Sequence, residues 1–301
     1  MQSVYALSQS KSDNLTKEEK FLKKSIADMQ DLHALLISLL VEVQKKAQDH
    51  LEIDKKKYLA SAEEQSPKIK FIGNKVFEKL NSSNSLLDYL EKRKLNNWSL
   101  DDEFVRIIWD LIQESELFTD YIKIEEPTFN QDKDFVVGIF KEIVAPNEKL
   151  ADYFESNSIT WVDDIPFVNT WIVKDLKNLK PNRPFKLGKL YKDEEDEKFV
   201  LDLFRKVVLK AGEFEDDINK KTPNWDSDRI AEIDLILIKM ALSEFVHFPS
   251  IPTSVSINEY IEIAKDYSSQ KSSFFVNGVL AKILKEYKTA DKINKIGRGL
   301  M

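Results

Sequence analysis

The residue types that usually perform catalysis are scarce in this chain. It contains no cysteine, which excludes thiol nucleophiles, disulfides and cysteine-ligated zinc. Its three histidines, His33, His50 and His247, lie far apart and lack the short spacing of metal ligands. The acidic run 193–197 adjoins a lysine on each side and is interpreted as a solvated helix start, not a magnesium site. With no glycine-rich phosphate loop or serine nucleophile motif, we expect no enzyme, no cofactor and no metal.

Composition indicates a globular protein of the cytoplasm. The 301 residues are 42% hydrophobic and 32% charged, and the lack of cysteine suits a reducing compartment. The longest uncharged apolar run, residues 34–41, is far shorter than the roughly 20 residues that span a bilayer, so we expect no membrane partner. The net charge of −7 argues against unspecific coating of nucleic acid but permits a local basic and aromatic patch.

Helical periodicity predicts an all-α fold. Only seven glycines and nine prolines are present, and from Phe21 to Leu40 apolar residues recur at spacings of three and four. We predict a short helix at residues 1–10, an additional helical region at residues 11–131 and a disordered tail at residues 289–301. No segment alternates with the period of two that is typical of strands.

An internal repeat is predicted between residues 132–175 and 196–239, which align without gaps at an offset of 64 residues. We interpret it as a duplicated helical hairpin, so that residues 132–195 form a unit similar to 196–239; chance agreement of two amphipathic helices is the alternative. A Trp-x-x-Asp pattern in both copies, with Trp161 and Trp225 capping equivalent cores, favours duplication. The matched positions are Phe135, Val136, Phe140, Val144, Asp152, Trp161, Asp164 and Ile172 with Phe199, Val200, Phe204, Val208, Asp216, Trp225, Asp228 and Ile236.

The C-terminal third carries three motifs in a specific order. They are IKMALSE at residues 238–244, SINEYIEIAK at residues 256–265 and FVNGVLAK at residues 275–282, and QSVYA stands at residues 2–6. Together they resemble the NusB transcription antitermination family, whose motifs read LR-I-AL-YE, (A/S)INEAIELAK and FVNGVLDK, with QALYA ending the first helix. The match covers residues 196–288 and the first ten. The chain's larger size resembles the elaborated members from Bacteroidetes-type bacteria.

The resemblance implies a fold and a function. The fold would be a NusB-like helical bundle with a core at residues 196–288, enlarged by an N-terminal and central helical insertion. Relatives bind the boxA element of ribosomal RNA leader transcripts together with NusE, a small-subunit ribosomal protein. Their complex joins RNA polymerase and suppresses premature termination. The resemblance therefore implies boxA-type RNA, NusE and the polymerase antitermination complex as partners.

Two residues correspond to the family's RNA-binding surface, and two more are candidate RNA contacts. Its aromatic positions match Tyr5 and Phe275, whose rings would stack on unpaired bases. Gln2 lies one helical turn from Tyr5 and would contact base or phosphate. Lys271 stands where the family often has an acid, and this reversal of charge would add a phosphate contact. An arginine-rich segment precedes the first helix in the family, and Met1 falls where that segment would end. Either the true start codon lies upstream, which we expect, or this version binds RNA by other means.

Several motif residues also have structural explanations. Phe274 and Phe275 are adjacent in a helix, so only one can face the core. Gly278 is expected to mark a close approach of two helices, with Asn277 bonded to a loop. Ser256 and the glutamate three residues later have the spacing of a capping box at a helix start.

Two other functions remain open on the sequence. The chain could be a helical protein–protein scaffold that kept the NusB core but lost RNA binding, which the acidic net charge and the missing arginines favour. It could also serve a ribosomal RNA methyltransferase carried on a separate chain, since a NusB-like domain precedes some of these enzymes. RNA affinity separates the first alternative from antitermination.

Overall fold

Helices form the regular structure of this chain, as the sequence predicts. The computed structural model describes residues 1–10, 14–56, 62–222, 231–269 and 271–300. In these ranges no strand occurs, and the all-α class is confirmed. None of the described helices is apolar over a length that would cross a bilayer. The α-helices are α1 (Gln2–Ser10), α2 (Leu15–Lys56), α3 (Ala62–Ile72), α4 (Lys75–Asn81), α5 (Asn84–Arg93), α6 (Asn97–Leu100), α7 (Asp102–Glu114), α8 (Glu116–Lys123), α9 (Phe129–Ile139), α10 (Glu148–Asn157), α11 (Trp161–Lys177), α12 (Glu194–Leu209), α13 (Glu215–Lys221), α14 (Glu232–His247), α15 (Thr253–Tyr267) and α16 (Ser272–Thr289).

The chain divides into two compact units, each with its own hydrophobic core. The first unit combines Met1–Lys23 with Tyr191–Met301, and the second comprises Lys24–Leu190. The long helix α2 contributes residues to both. The region between the two ends that carry the family motifs therefore has a hydrophobic core of its own and does not enlarge the core of the first unit.

The first unit is built around α14. This helix is apolar on all sides, and every residue from 240 to 245 is buried. It contacts α1, α12, α15 and α16. Leu237, Ala241 and Phe245 are fully buried at its centre. Because α1 and α16 both rest on α14, the two ends of the chain that carry the predicted site residues have a common support.

The second unit is centred on α2, where every residue from 31 to 41 is buried. Trp109 and several phenylalanines pack around this stretch. Asp31 is a buried acid here, and it is paired: Arg93 donates to both of its carboxylate oxygens, at 2.8 and 2.5 Å, and the Tyr89 hydroxyl donates at 2.7 Å. A buried carboxylate is stable only when its charge is compensated in this way.

The predicted repeat coincides with a repeated order of helices. The π-helical turn Phe140–Val144 extends α9, and α10 and α11 follow; 64 residues later come α12, a 3-10 turn at Ala211–Phe214 that leads into α13, and then α14. Equivalent positions are buried in both copies, among them Leu150 with Phe214 and Ile172 with Ile236. Trp161 donates its indole N–H to the Asp28 carbonyl oxygen at 2.7 Å, whereas its counterpart Trp225 lies outside the described residues. The duplication stays a prediction that these features support.

A buried carboxylate takes the place of the helix cap predicted at Ser256. Since α15 begins at Thr253, Ser256 lies within the helix. Its hydroxyl and that of Tyr260 donate to the Glu244 carboxylate at 2.6 and 2.5 Å. Burial raises the pKa of Glu244, and these two hydrogen bonds lower it. The predicted capping box is wrong, because this serine instead joins α15 to α14.

The last residues pack on the first unit, although the sequence predicts a disordered tail. The Lys295 ammonium group donates to the carbonyl oxygens of Glu244 at 3.0 Å and Phe248 at 2.8 Å. The backbone N–H of Ile296 donates to the Pro249 carbonyl oxygen at 3.0 Å. These acceptors stand at the end of α14, where the last carbonyl groups of a helix can take further donors; that of Glu244 also accepts the backbone N–H of Phe248 at 3.2 Å. The polar composition of residues 289–301 does not show that these residues have hydrogen-bond acceptors near the end of α14.

Candidate nucleic-acid interface

The two adjacent phenylalanines at the start of α16 face different ways. Phe274 is 79% exposed, whereas Phe275 is half-buried and packs against the core of the first unit. The core face of α16 is formed by Val276, Leu280 and Ile283, which leaves Phe275 at the edge of that face. The outward aromatic ring is therefore that of Phe274, while the predicted site residue Phe275 offers only part of its ring to solvent.

The Asn-Gly pair that follows lies on the surface of α16. Among the described parts of the chain, a methyl group at Gly278 would meet nothing within 4 Å, so the predicted close approach of a second helix is wrong. Asn277 is also exposed, and its side chain bonds to no described residue. Glycine destabilises a helix interior by about 1 kcal/mol relative to alanine. No packing by the residues that the structure describes accounts for that loss at Gly278.

Lys271 directly precedes α16 and is exposed. The turn beside it is fixed by hydroxyl groups: the Ser272 Oγ lies 2.8 Å from that of Ser268 and 2.9 Å from that of Ser269. Ser272 itself is buried. This arrangement places a cation on the surface one turn before the exposed Phe274.

The other two predicted site residues lie on α1. Tyr5 is 37% exposed and Gln2 is exposed, while Val4 between them is buried in the core of the first unit. The Ser8 hydroxyl donates to the Glu232 carboxylate of α14 at 2.5 Å. Burial of Val4 and this hydrogen bond hold α1 on α14, so that the tyrosine ring points at least partly to solvent.

The structure thus brings the four predicted residues into one compact unit, on two helices that share α14 as a support. Sequence reasoning did not select Phe274, although it noted that one of the two rings must point outward. A helical register would have identified it: Lys271, Phe274 and Gly278 follow one another at spacings of three and four, and all are exposed. Lys271 directly precedes α16, and Phe274 and Gly278 lie on the first half of one face of that helix.

The fold and this surface define an all-α protein with aromatic and cationic side chains along its last helix. Comparison with known proteins specifies the family. The NusB family model matches residues 172–285, from within α11 to within α16. No solved structure gives a significant match to the chain.

Three relatives carry the same name, transcription antitermination protein NusB. The protein of Salinibacter ruber is 41% identical over 112 residues, which are 37% of this chain and 70% of that protein. That of Chloroherpeton thalassium is 40% identical over 103 residues, 34% of this chain and 49% of the relative. That of Acetivibrio thermocellus is 37% identical over 93 residues, 31% of this chain and 64% of the relative. The chain belongs to the NusB family, and the resemblance of its motifs is confirmed.

Proposed function

We propose that this protein is a transcription antitermination factor that acts by binding and not by catalysis. It binds boxA-type RNA of ribosomal RNA leader transcripts together with NusE, as part of the RNA polymerase antitermination complex in the cytoplasm. The names of the three relatives support the class of function. The surface of α16 supports RNA as the ligand.

The exposure of Phe274 carries the proposal. A large aromatic side chain that is 79% exposed contributes little to the core, yet its flat face can stack on an unpaired base. Gly278 stands one turn further along the same face with open space around it, which permits a nucleic-acid backbone to come close to the helix. An aromatic ring beside an unobstructed backbone is an arrangement suited to single-stranded RNA.

The other site residues then have definite roles. Phe275 offers the edge of its ring beside Phe274, and Tyr5 supplies a second stacking surface on α1. Lys271 contributes a phosphate contact, and Gln2 donates to a base or a phosphate from its amide group.

The test measures the affinity of the chain for a boxA-type RNA, with and without NusE, by fluorescence anisotropy. Phe274→Ala is expected to weaken binding by roughly 5- to 150-fold, since stacking on one base contributes about 1–3 kcal/mol. Phe275→Leu keeps an apolar side chain at the core edge but removes the ring. Phe167→Ala is the matched control, because Phe167 is 58% exposed but lies in the second unit.

The outcome separates the competing functions. Weaker binding by Phe274→Ala with unchanged binding by the Phe167 variant supports the proposal. If the unchanged chain binds NusE but shows no affinity for the RNA, with or without NusE, the protein is instead a protein–protein scaffold. Equal losses in the two alanine variants would show that the α16 surface has no special part in binding.

A further inference from the structure

The positive charge of this acidic protein is concentrated at its C-terminal end. Between residues 271 and 300 there are seven lysines and arginines and only two acids, although the whole chain has a net charge of −7. Charge asymmetry of this kind indicates a local anionic partner. Helix α16 occupies most of this range.

The exposed face of α16 continues beyond Gly278 with cations. Lys282, Lys285 and Thr289 follow Gly278 at spacings of four, three and four, which keeps them on the same side of the helix. All three are exposed. The face therefore begins with aromatic side chains and ends with lysines, and Phe274 and Lys285 lie about 16 Å apart along the helix axis at 1.5 Å per residue.

The lysine end of this face is a shallow depression between α13 and α16. Its volume is about 490 Å³, and Lys221, Lys282, Lys285, Glu286, Thr289 and Ala290 line it. Two contacts hold its walls together: Tyr287 donates its hydroxyl to the Asp217 carboxylate of α13 at 2.7 Å, and Lys221 pairs with Glu286. The depression is thus formed by two helices that are fixed to each other.

The acids near this depression are already engaged. Glu286 neutralises Lys221, and Asp217 accepts hydrogen bonds from Tyr287 and Lys292. Neither Lys282 nor Lys285 pairs with an acid among the residues that the structure describes. The ammonium groups of Lys282 and Lys285 can therefore attract an anion. A nucleic-acid strand, with one phosphate per nucleotide, can offer a negative charge to each of them.

We propose that the depression of Lys221, Lys282 and Lys285 binds phosphates of the same RNA strand whose bases stack at Phe274. This inference rests on the proposed RNA-binding function and extends it by a second contact region. At about 3.4 Å per stacked nucleotide, the 16 Å between ring and lysines corresponds to roughly five nucleotides. The strand runs along the exposed face of α16, and Gly278 lets it pass close to the helix.

Salt dependence of RNA binding tests this contact. Each phosphate contact to a single strand contributes about 0.7 to the slope of log affinity against log salt. The double variant Lys282→Gln/Lys285→Gln is therefore expected to lower that slope by about 1.4, so that the loss of affinity between 50 and 200 mM salt becomes roughly sevenfold smaller. The control Lys192→Gln/Lys198→Gln removes the same charge from exposed positions near the start of α12 and should leave the slope unchanged.

A second variant is expected to strengthen RNA binding, and misfolding would not produce that result. Glu286→Gln removes the acid that neutralises Lys221, and we expect tighter binding and a slope steeper by about 0.7. A boxA-type RNA shortened by five nucleotides at the end near the lysines should bind the double variant and the unchanged chain equally. Shortening from the other end should preserve the difference between them.

Each result decides one of the two proposals. If the unchanged chain binds RNA but the lysine variant keeps the slope of its control, the phosphate site is overturned while RNA binding stands. If the unchanged chain binds no RNA, alone or with NusE, both proposals are overturned. A reduced slope together with tighter binding by Glu286→Gln supports the path along α16.

Discussion

Replacing Gly278 with alanine should stabilise the protein and weaken its binding to RNA. In the structure, a Cβ atom at this position meets nothing within 4 Å, so no steric penalty offsets the better helix propensity of alanine. That propensity difference is about 1 kcal/mol in a helix interior, or roughly fivefold in the folding equilibrium. An RNA backbone that approaches the helix here would meet the new methyl group. Loss of one contact of about 1.4 kcal/mol would weaken binding tenfold.

Urea unfolding measures the first effect and fluorescence anisotropy with boxA-type RNA the second. Gly212→Ala is the matched control, because a methyl group there also meets nothing within 4 Å among the described residues but lies in the 3-10 turn Ala211–Phe214 and not on α16. A destabilised Gly278→Ala variant would refute the open space at this site. A stabilised variant with unchanged RNA affinity would refute the close approach of RNA to this face.

Two further predictions concern the acids Asp164 and Glu244, and urea unfolding measures both. Burial, and to a smaller extent the charges of Asp163 and Asp28, raises the pKa of Asp164 from 3.8 to about 6. The folded protein therefore binds this proton more tightly than the unfolded chain, so the free energy of unfolding falls as the pH rises from about 4 to about 6. Asp164→Asn should abolish this fall and gain about 1 kcal/mol at pH 7, after discounting for solvent screening of a partly buried group. An unchanged pH slope would contradict the prediction. Tyr260→Phe removes one of two hydroxyl donors to Glu244 and should lower the unfolding free energy by about 1–3 kcal/mol at pH 7, and unchanged stability would show that this hydrogen bond contributes nothing.

Local patterns predicted the parts of the fold that depend on periodicity. The apolar residues on all sides of α14 indicated a central buried helix, and it is the helix on which α1, α12, α15 and α16 rest. The family motifs indicated the first unit, and both motif-bearing ends lie in it. Periodicity reports the face that a helix buries, so these features needed no knowledge of distant contacts.

Contacts between distant residues could not be predicted in the same way. The hydroxyl of Ser256 has the spacing of a helix cap, but its acceptor is a carboxylate on another helix. The tail was expected to be disordered, because nothing in its composition shows that carbonyl groups at the end of α14 accept from Lys295. In both cases a polar side chain forms a hydrogen bond to a different structural element, which local sequence spacing does not show.

The amino-acid sequence by itself determined the helical class, the family and the choice of aromatic, amide and cationic residues at the two ends. Spacing along one helix and short motifs carry that information. Only the tertiary structure decided that Phe274 is the exposed ring of its pair, that Gly278 is open, and that Lys221 joins Lys282 and Lys285 around one depression. Exposure depends on which neighbouring helices cover a face, and those neighbours are set by packing between segments that lie far apart in the chain.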